Sequence, residues 1–401
     1  MTSGVVASRA PRGTGSHFAV LDGVRGLAIV MVLFVHFIGD SPAHTTLERA
    51  MVKLANYGIW GVDLFFVLSG FLITGLLYDS KKSAHYFRDF YVRRTLRIFP
   101  LYYGVLALLF ILLPALHLPY PSGLQESARH QAWLWSYASN AYLAIHRAWA
   151  LPYVGHFWSL AVEEQFYLFW PIVVLSFGRR SLVGICVVAS ALALALRGAL
   201  SYAGAGSIAQ VVLTPCRLDA LCVGGLVALA IRSVPFERVA RVARVSLAPL
   251  LGLVLLASAW NALRGSLCDI VLPLRGTLIA LTFGAFLAVS LAAKAESILS
   301  RALRSRTMCF LGTRSYGLYV FHGIVAYAMS EHPGILRALA ARVGSTAAML
   351  VLAALGAGFS IVVAAASYEL FERHFLRLKD RFAPSAGRRS AEVILDARPA
   401  A

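Results

Sequence analysis

The sequence predicts an all-α, polytopic membrane protein with about ten transmembrane helices and both termini in the cytoplasm. Of 401 residues, 59% are hydrophobic and only 14% are charged, where a soluble domain carries about 25% charged residues. Mean hydropathy is +0.71. Apolar runs of the length needed to cross a bilayer as helices recur from end to end. Inside lipid the backbone must satisfy its own hydrogen bonds, and a helix does so within one segment.

In chain order the spans fall near 21–38, 59–78, 98–116, 157–177, 181–197, 212–231, 246–263, 270–291, 311–330 and 345–366. The first sits where a secretion signal would, but no small-residue cleavage site follows it, so it reads as a retained helix. Most of the 37 Lys and Arg lie in segments on the side of the N-terminus, the positive-inside pattern. The formal charge of +18 then reflects topology and attraction to anionic lipid head groups rather than a nucleic-acid partner. The tails, 1–17 and 383–401, are polar and rich in Arg, Ser, Gly or Pro and read as disordered. They flank a membrane domain over 18–382. The five Cys, at 186, 216, 222, 268 and 309, include no CxxC. They are expected to be packing residues, and no metal site is expected.

The informative residues are those that lipid should exclude. In "LDGVRGLAIVMVLFVHF", Arg25 and His36 lie eleven steps apart, about 20° in azimuth and roughly 16 Å along the helix. They share one face, with Arg25 at the cytoplasmic end and His36 in the outer half. Asp63, in "GIWGVDLFFVLSGFLIT", is expected near the depth of His36, either orienting it or standing alone at the interface. Ser69 and Gly70 are expected to let helices approach closely. "GHFWSLAVEEQFYLFWP" places Glu163 on a face with Ser159 and Tyr167, while Glu164 points about 100° away. Trp158 reads as an aromatic-belt residue or part of a site, and His156 as loop decoration. In "TPCRLDALCVGG", Arg217 and Asp219 either pair or bind a polar acceptor. In "SYGLYVFHGIV", Ser315, Tyr319 and His322 share a face suited to interhelical hydrogen bonds or substrate. The basic stretch "KKSAHYFRDFYVRRTLRIFPLYY" offers Arg93, Arg94 and Arg97 as a phosphate clamp, or as a membrane-surface anchor.

An arginine cluster at one membrane face and a His with carboxylates toward the other suit a phosphorylated donor with a long thin arm, such as acyl-coenzyme A. With these motifs in this order, the chain resembles the acyltransferase-three family of bacterial integral-membrane O-acyltransferases over roughly residues 18 to 382. The resemblance rests on the Arg25-x10-His36 signature, "GVDLFFVLSGFLIT", "FYVRRTLRIFPLYY", "FWSLAVEEQFYLFWP", "RLDALCVGG" and "SYGLYVFH". It implies transfer of an acyl group, commonly acetyl, from coenzyme A to a hydroxyl of a carbohydrate or related acceptor at the bacterial inner membrane. It matches Arg25 and His36 to the signature pair, Arg94 and Arg97 to the basic motif, and Glu163 better than Glu164 to the acidic position. One departure is His374, where the family usually has Pro after Glu-Arg. No secreted-type hydrolase domain follows the last span, so transfer is expected to finish in the membrane unit or with a separate partner.

The expected mechanism has neutral His36 as general base on the acceptor hydroxyl, with Asp63 or Glu163 orienting the ring. An unperturbed imidazole titrates near ~6.5, which suits that task. An acyl-His intermediate stays open. Expected to bind coenzyme A are Arg25, Arg93, Arg94 and Arg97. Trp158, Ser159, Glu164, Tyr167, Arg217, Asp219, Tyr319 and His322 are expected to face the substrate. The acceptor is open among O-antigen, exopolysaccharide, peptidoglycan and a secreted small molecule such as a macrolide. A glycolipid carrier or flippase is the non-enzymatic alternative.

Overall fold

The computed structural model describes residues 15–264 and 271–382, and every regular element there is helical. The expected tail segments 1–14 and 383–401, together with Cys268, lie outside the described residues. Residues 15–17 already belong to the first helix.

The principal helices are α1 (Gly15–Phe34), α2 (Thr46–Asn56), α3 (Trp60–Asp79), α4 (Tyr86–Ala107), α5 (Trp158–Ser176), α6 (Arg179–Tyr202), α7 (Thr214–Ala230), α8 (Phe236–Arg264), α9 (Val271–Ala292), α10 (Ser315–Ser330), α11 (Pro333–Val343) and α12 (Ser345–Ser367). Each of the ten expected spans coincides with a helix, and eight helical stretches are long and apolar enough to cross a membrane. The two that fall short are α5 and α10. Consecutive Glu163, Glu164 and Gln165 lower the apolarity of α5. The expected span 311–330 breaks at Arg314, which leaves α10 only 16 residues. These two helices carry much of the site.

The centre of the bundle is α3, which packs mainly against α7 and also against α1, α5 and α9. The α3–α7 crossing depends on two glycines. A Cβ at Gly70 would lie 1.8 Å from the Leu221 carbonyl oxygen, and one at Gly224 would lie 1.9 Å from that of Val67. The expected role of Gly70 in close approach therefore holds. Ser69 beside it has a different task, described below. The side chain of Arg232 grips Asp79 with two hydrogen bonds of 2.7 and 2.6 Å, tying the far ends of α3 and α7 together.

After Phe34 the first helix does not stop. It widens into a π-helical turn, Val35–Gly39, that holds His36. Turns of this kind occur often at functional sites. The chain then reaches α2, whose start is closed by Thr45 and Glu48 in a reciprocal cap. Glu48 also accepts hydrogen bonds from Ser345 and Thr346 at 2.5 and 2.7 Å, joining α2 to the head of α12.

Candidate active site

The sequence-predicted residues divide into three places along the bundle. At the Arg25 end, α1, α3, α4, α5 and α10 enclose a cavity of 90 Å³. One wall is apolar, with Phe65, Phe66 and Leu72; the other carries Arg25, Arg94, Arg97, Glu163 and Glu164. Arg25 is held by Asp22 at 2.9 Å. The Arg94 guanidinium lies 5.5 Å from the centre of the Tyr167 ring, a cation–π distance. Its Nε is buried without a partner, as is Oε1 of Glu164. Ser69 donates to Glu163 and accepts from the Tyr167 hydroxyl at 3.2 Å. Ser69 is thus a site residue that sequence reasoning assigned to helix packing. Arg93, half-buried, is not among the residues lining this cavity with Arg94 and Arg97. Glu164 lines it alongside Glu163, although it lies about 100° further round the helix. The cavity is wide enough to reach both positions of one helical turn.

His36 is elsewhere. It lines a separate cavity of 260 Å³ between the π-helical turn and α10 to α12, together with Asp40, His332 and apolar side chains such as Met329 and Leu352. Its Nδ1 lies 2.9 Å from the Val32 carbonyl oxygen. A carbonyl only accepts, so Nδ1 carries the proton and Nε2 keeps a free lone pair. Neither expected carboxylate touches the ring. Asp63 is drawn into a buried ion pair with Arg217, and Glu163 belongs to the arginine cavity. The acid that shares the His36 cavity is the exposed Asp40, four positions on and just past the end of the π-helical turn. That i, i+4 spacing was present in the sequence.

Behind His36 stand two more imidazoles. The His322 ring centre is 4.8 Å from that of His36 and 5.0 Å from that of His156. His322 is fully buried; its Nδ1 lies 3.1 Å from the Leu318 carbonyl oxygen, and its Nε2 has no partner. His156 is buried too and donates Nε2–H to the Val320 carbonyl at 3.1 Å. It is a core residue rather than loop decoration, because the short turn Gly155–Phe157 carries it against Gly323. Tyr319 lies 5.3 Å from His322, ring to ring, and is hydrogen-bonded to Ser159. Ser159 and Tyr319 both line the arginine cavity. A continuous row, His36–His322–Tyr319–Ser159, therefore joins the two cavities.

The third group is a pair of buried ion pairs. Arg217 bonds Asp63, not Asp219 as its neighbour in sequence suggested. Asp219 is taken by Arg197 at 2.7 Å and by Thr277 at 2.9 Å. Arg197, at the end of a predicted span, was not recognised as a site residue. Trp158 packs edge-on against Phe66 at 6.0 Å and lines a small polar cleft with Asp63 and Arg217.

An all-helical membrane bundle that joins an arginine-and-carboxylate cavity to a half-buried histidine by a polar row has the make-up of a membrane acyltransferase. The chain belongs to the family whose model is described as "Acyltransferase domain", which matches residues 18–368. It is 30% identical over 327 residues to the putative peptidoglycan O-acetyltransferase YrhL of Bacillus subtilis, covering 75% of this chain and 47% of that protein. It is 31% identical over 177 residues to the peptidoglycan O-acetyltransferase OatA of Listeria monocytogenes, covering 42% and 26%. It is 26% identical over 323 residues to the O-acetyltransferase OatA of Staphylococcus aureus, covering 75% and 49%. The chain spans about half the length of these relatives or less. No solved structure matches it.

Proposed function

We propose that the protein transfers an acyl group, acetyl in the first instance, from acyl-coenzyme A to a hydroxyl of a carbohydrate at the bacterial inner membrane. The observation that carries this reading is the placement of His36. Its Nδ1 is committed to Val32, so Nε2 is the atom left to accept a proton, and three arginines stand at the other end of its own helix. In this reading Arg25, Arg94 and Arg97 hold the phosphates of the donor, guanidinium forks being matched to phosphate oxygens. The acyl-bearing arm passes the Ser159–Tyr319 pair. At the far end Nε2 of His36 takes the hydroxyl proton as the acceptor oxygen attacks the thioester carbon. The C–S bond breaks, and the imidazolium returns the proton to the departing sulfur. Asp40 stabilises the imidazolium, and His322 holds the ring from behind.

The peptidoglycan named for the relatives makes a cell-surface glycan the first acceptor to test; exopolysaccharide, O-antigen and a secreted small molecule such as a macrolide are the others. The test is to incubate purified protein in lipid nanodiscs with labelled acetyl-coenzyme A and each acceptor, and to look for acetyl esters by mass spectrometry. Ester formation that requires the protein supports the reading. Movement of a glycolipid across the bilayer with no added acyl mass would replace it with a carrier.

A further inference from the structure

At the same end of the bundle as His36 is a polar cleft that the proposed transfer does not use. Its inner part, of 80 Å³, is lined by Asp63, Arg197, Gln210, Arg217 and Arg275 beside Trp60. Ile59, Trp60 and Arg275 also line the wider part, of 450 Å³, into which it opens. That second volume is in the range of small-molecule sites.

The charges do not cancel. Arg217 is matched by Asp63 and Arg197 by Asp219, each pair buried. Arg275 has no ion-pair partner among the described residues. The wider part adds Arg49 and Lys53, and no carboxylate is among its described lining residues. Two buried polar atoms are also unmatched, Nε of Arg217 and Oε1 of Gln210, on residues only 8% and 4% exposed. One is a donor and the other an acceptor. Buried polar groups are nearly always satisfied, so both ask for a ligand or water. A cleft with a surplus guanidinium, a free donor and a free acceptor fits a molecule with an anionic oxygen and a hydroxyl. Tyr57 and Trp60, with ring centres 4.8 Å apart, supply aromatic surface at the wider part. Such amphipathic rings suit a partner with one apolar face and polar edges, as the C–H face of a sugar has.

We propose that this cleft binds an acidic saccharide, a hydroxylated sugar ring bearing a carboxylate, with Arg275 receiving the carboxylate and Trp60 the ring face. The proposal deepens the carbohydrate-acceptor reading above and rests on it.

The test is calorimetric titration of the 401-residue protein in nanodiscs of neutral lipid with glucuronic acid, its methyl ester and acetate. Glucuronic acid is expected to bind at least tenfold more tightly than either control. Arg275→Gln should erase that preference at an unchanged melting temperature, because the buried Asp63 in the same cleft keeps its ion pair with Arg217. Equal binding of acid and ester, no binding of any probe, acetate binding as well as glucuronic acid, or an Arg275→Gln protein that binds like wild type would each overturn the proposal. Acetyl transfer to neutral and acidic polysaccharides is measured in parallel. Transfer without acid-selective binding overturns the cleft and keeps the acceptor reading. Acid-selective binding with no transfer to any saccharide keeps the cleft as a binding site and overturns the acceptor reading.

Discussion

Replacing Arg217 with Met strands Asp63. The two side chains are each 9% exposed and bonded to one another, and the Arg217 guanidinium also lies 5.5 Å from the centre of the Phe66 ring. Removing one member of a buried ion pair leaves an uncompensated charge at a cost of about 3–5 kcal/mol. The lost cation–π contact adds ~0.5–2 kcal/mol. Removing both charges, as Asp63→Asn with Arg217→Met, abolishes the stranded carboxylate and should recover most of the cost of the broken pair. Thermal unfolding in detergent, followed by tryptophan fluorescence, measures the single and double variants as a double-mutant cycle. The expected coupling is several kcal/mol in favour of the pair. Additive losses with a coupling below about 0.5 kcal/mol would refute the ion pair as a structural unit. An Asp63→Asn protein of normal stability that has lost acyl transfer, beside an active Arg217→Met, would return Asp63 to the catalytic role its sequence position suggested.

Ser69→Ala removes the hydroxyl shared by Glu163 and Tyr167; transfer should fall about tenfold, in line with buried polar groups left without a partner, with normal accumulation in the membrane. Arg97→Ala should weaken acetyl-coenzyme A binding at least tenfold and Arg97→Lys should restore it only in part, since Lys lacks the bidentate fork; full rescue by Lys in a binding titration would make the basic segment a membrane anchor. Asp40→Asn removes the carboxylate that shares the His36 cavity. Transfer should fall about tenfold with acetyl-coenzyme A affinity unchanged, the scale of one lost interaction with a charged group. Transfer unchanged by Asp40→Asn would dissociate the two groups.

The helices were legible in the sequence because lipid forces the issue: a long apolar run has one way to satisfy its backbone. The span expected at 157–177 is α5 within a residue or two, and that at 345–366 is α12. Glu163 and Tyr167 could be placed together because helical spacing alone sets their face, and both do line the arginine cavity. Partners were not legible. Arg217 and Asp63 are 154 positions apart, and nothing in either segment says that α3 and α7 cross at Gly70 and Gly224. The sequence offered Asp219 as the nearer acid and gave no sign of Arg197. Depth misled as well. Span order puts His36 and Glu163 at one level, but the bundle puts them in different cavities. Two local signals were available and unused: Asp40 one turn after His36, and the break at Arg314 that shortens α10.

The central claim is that Nε2 of His36 moves the proton while the donor is held at the other end of α1. Single-turnover acetyl transfer by His36→Ala, with acetyl-coenzyme A affinity measured on the same preparation, tests it most directly. The account predicts transfer reduced about 10²- to 10⁴-fold, the usual worth of a general base, with donor affinity within twofold of wild type. Transfer near the wild-type rate, or donor binding lost together with transfer, would contradict it.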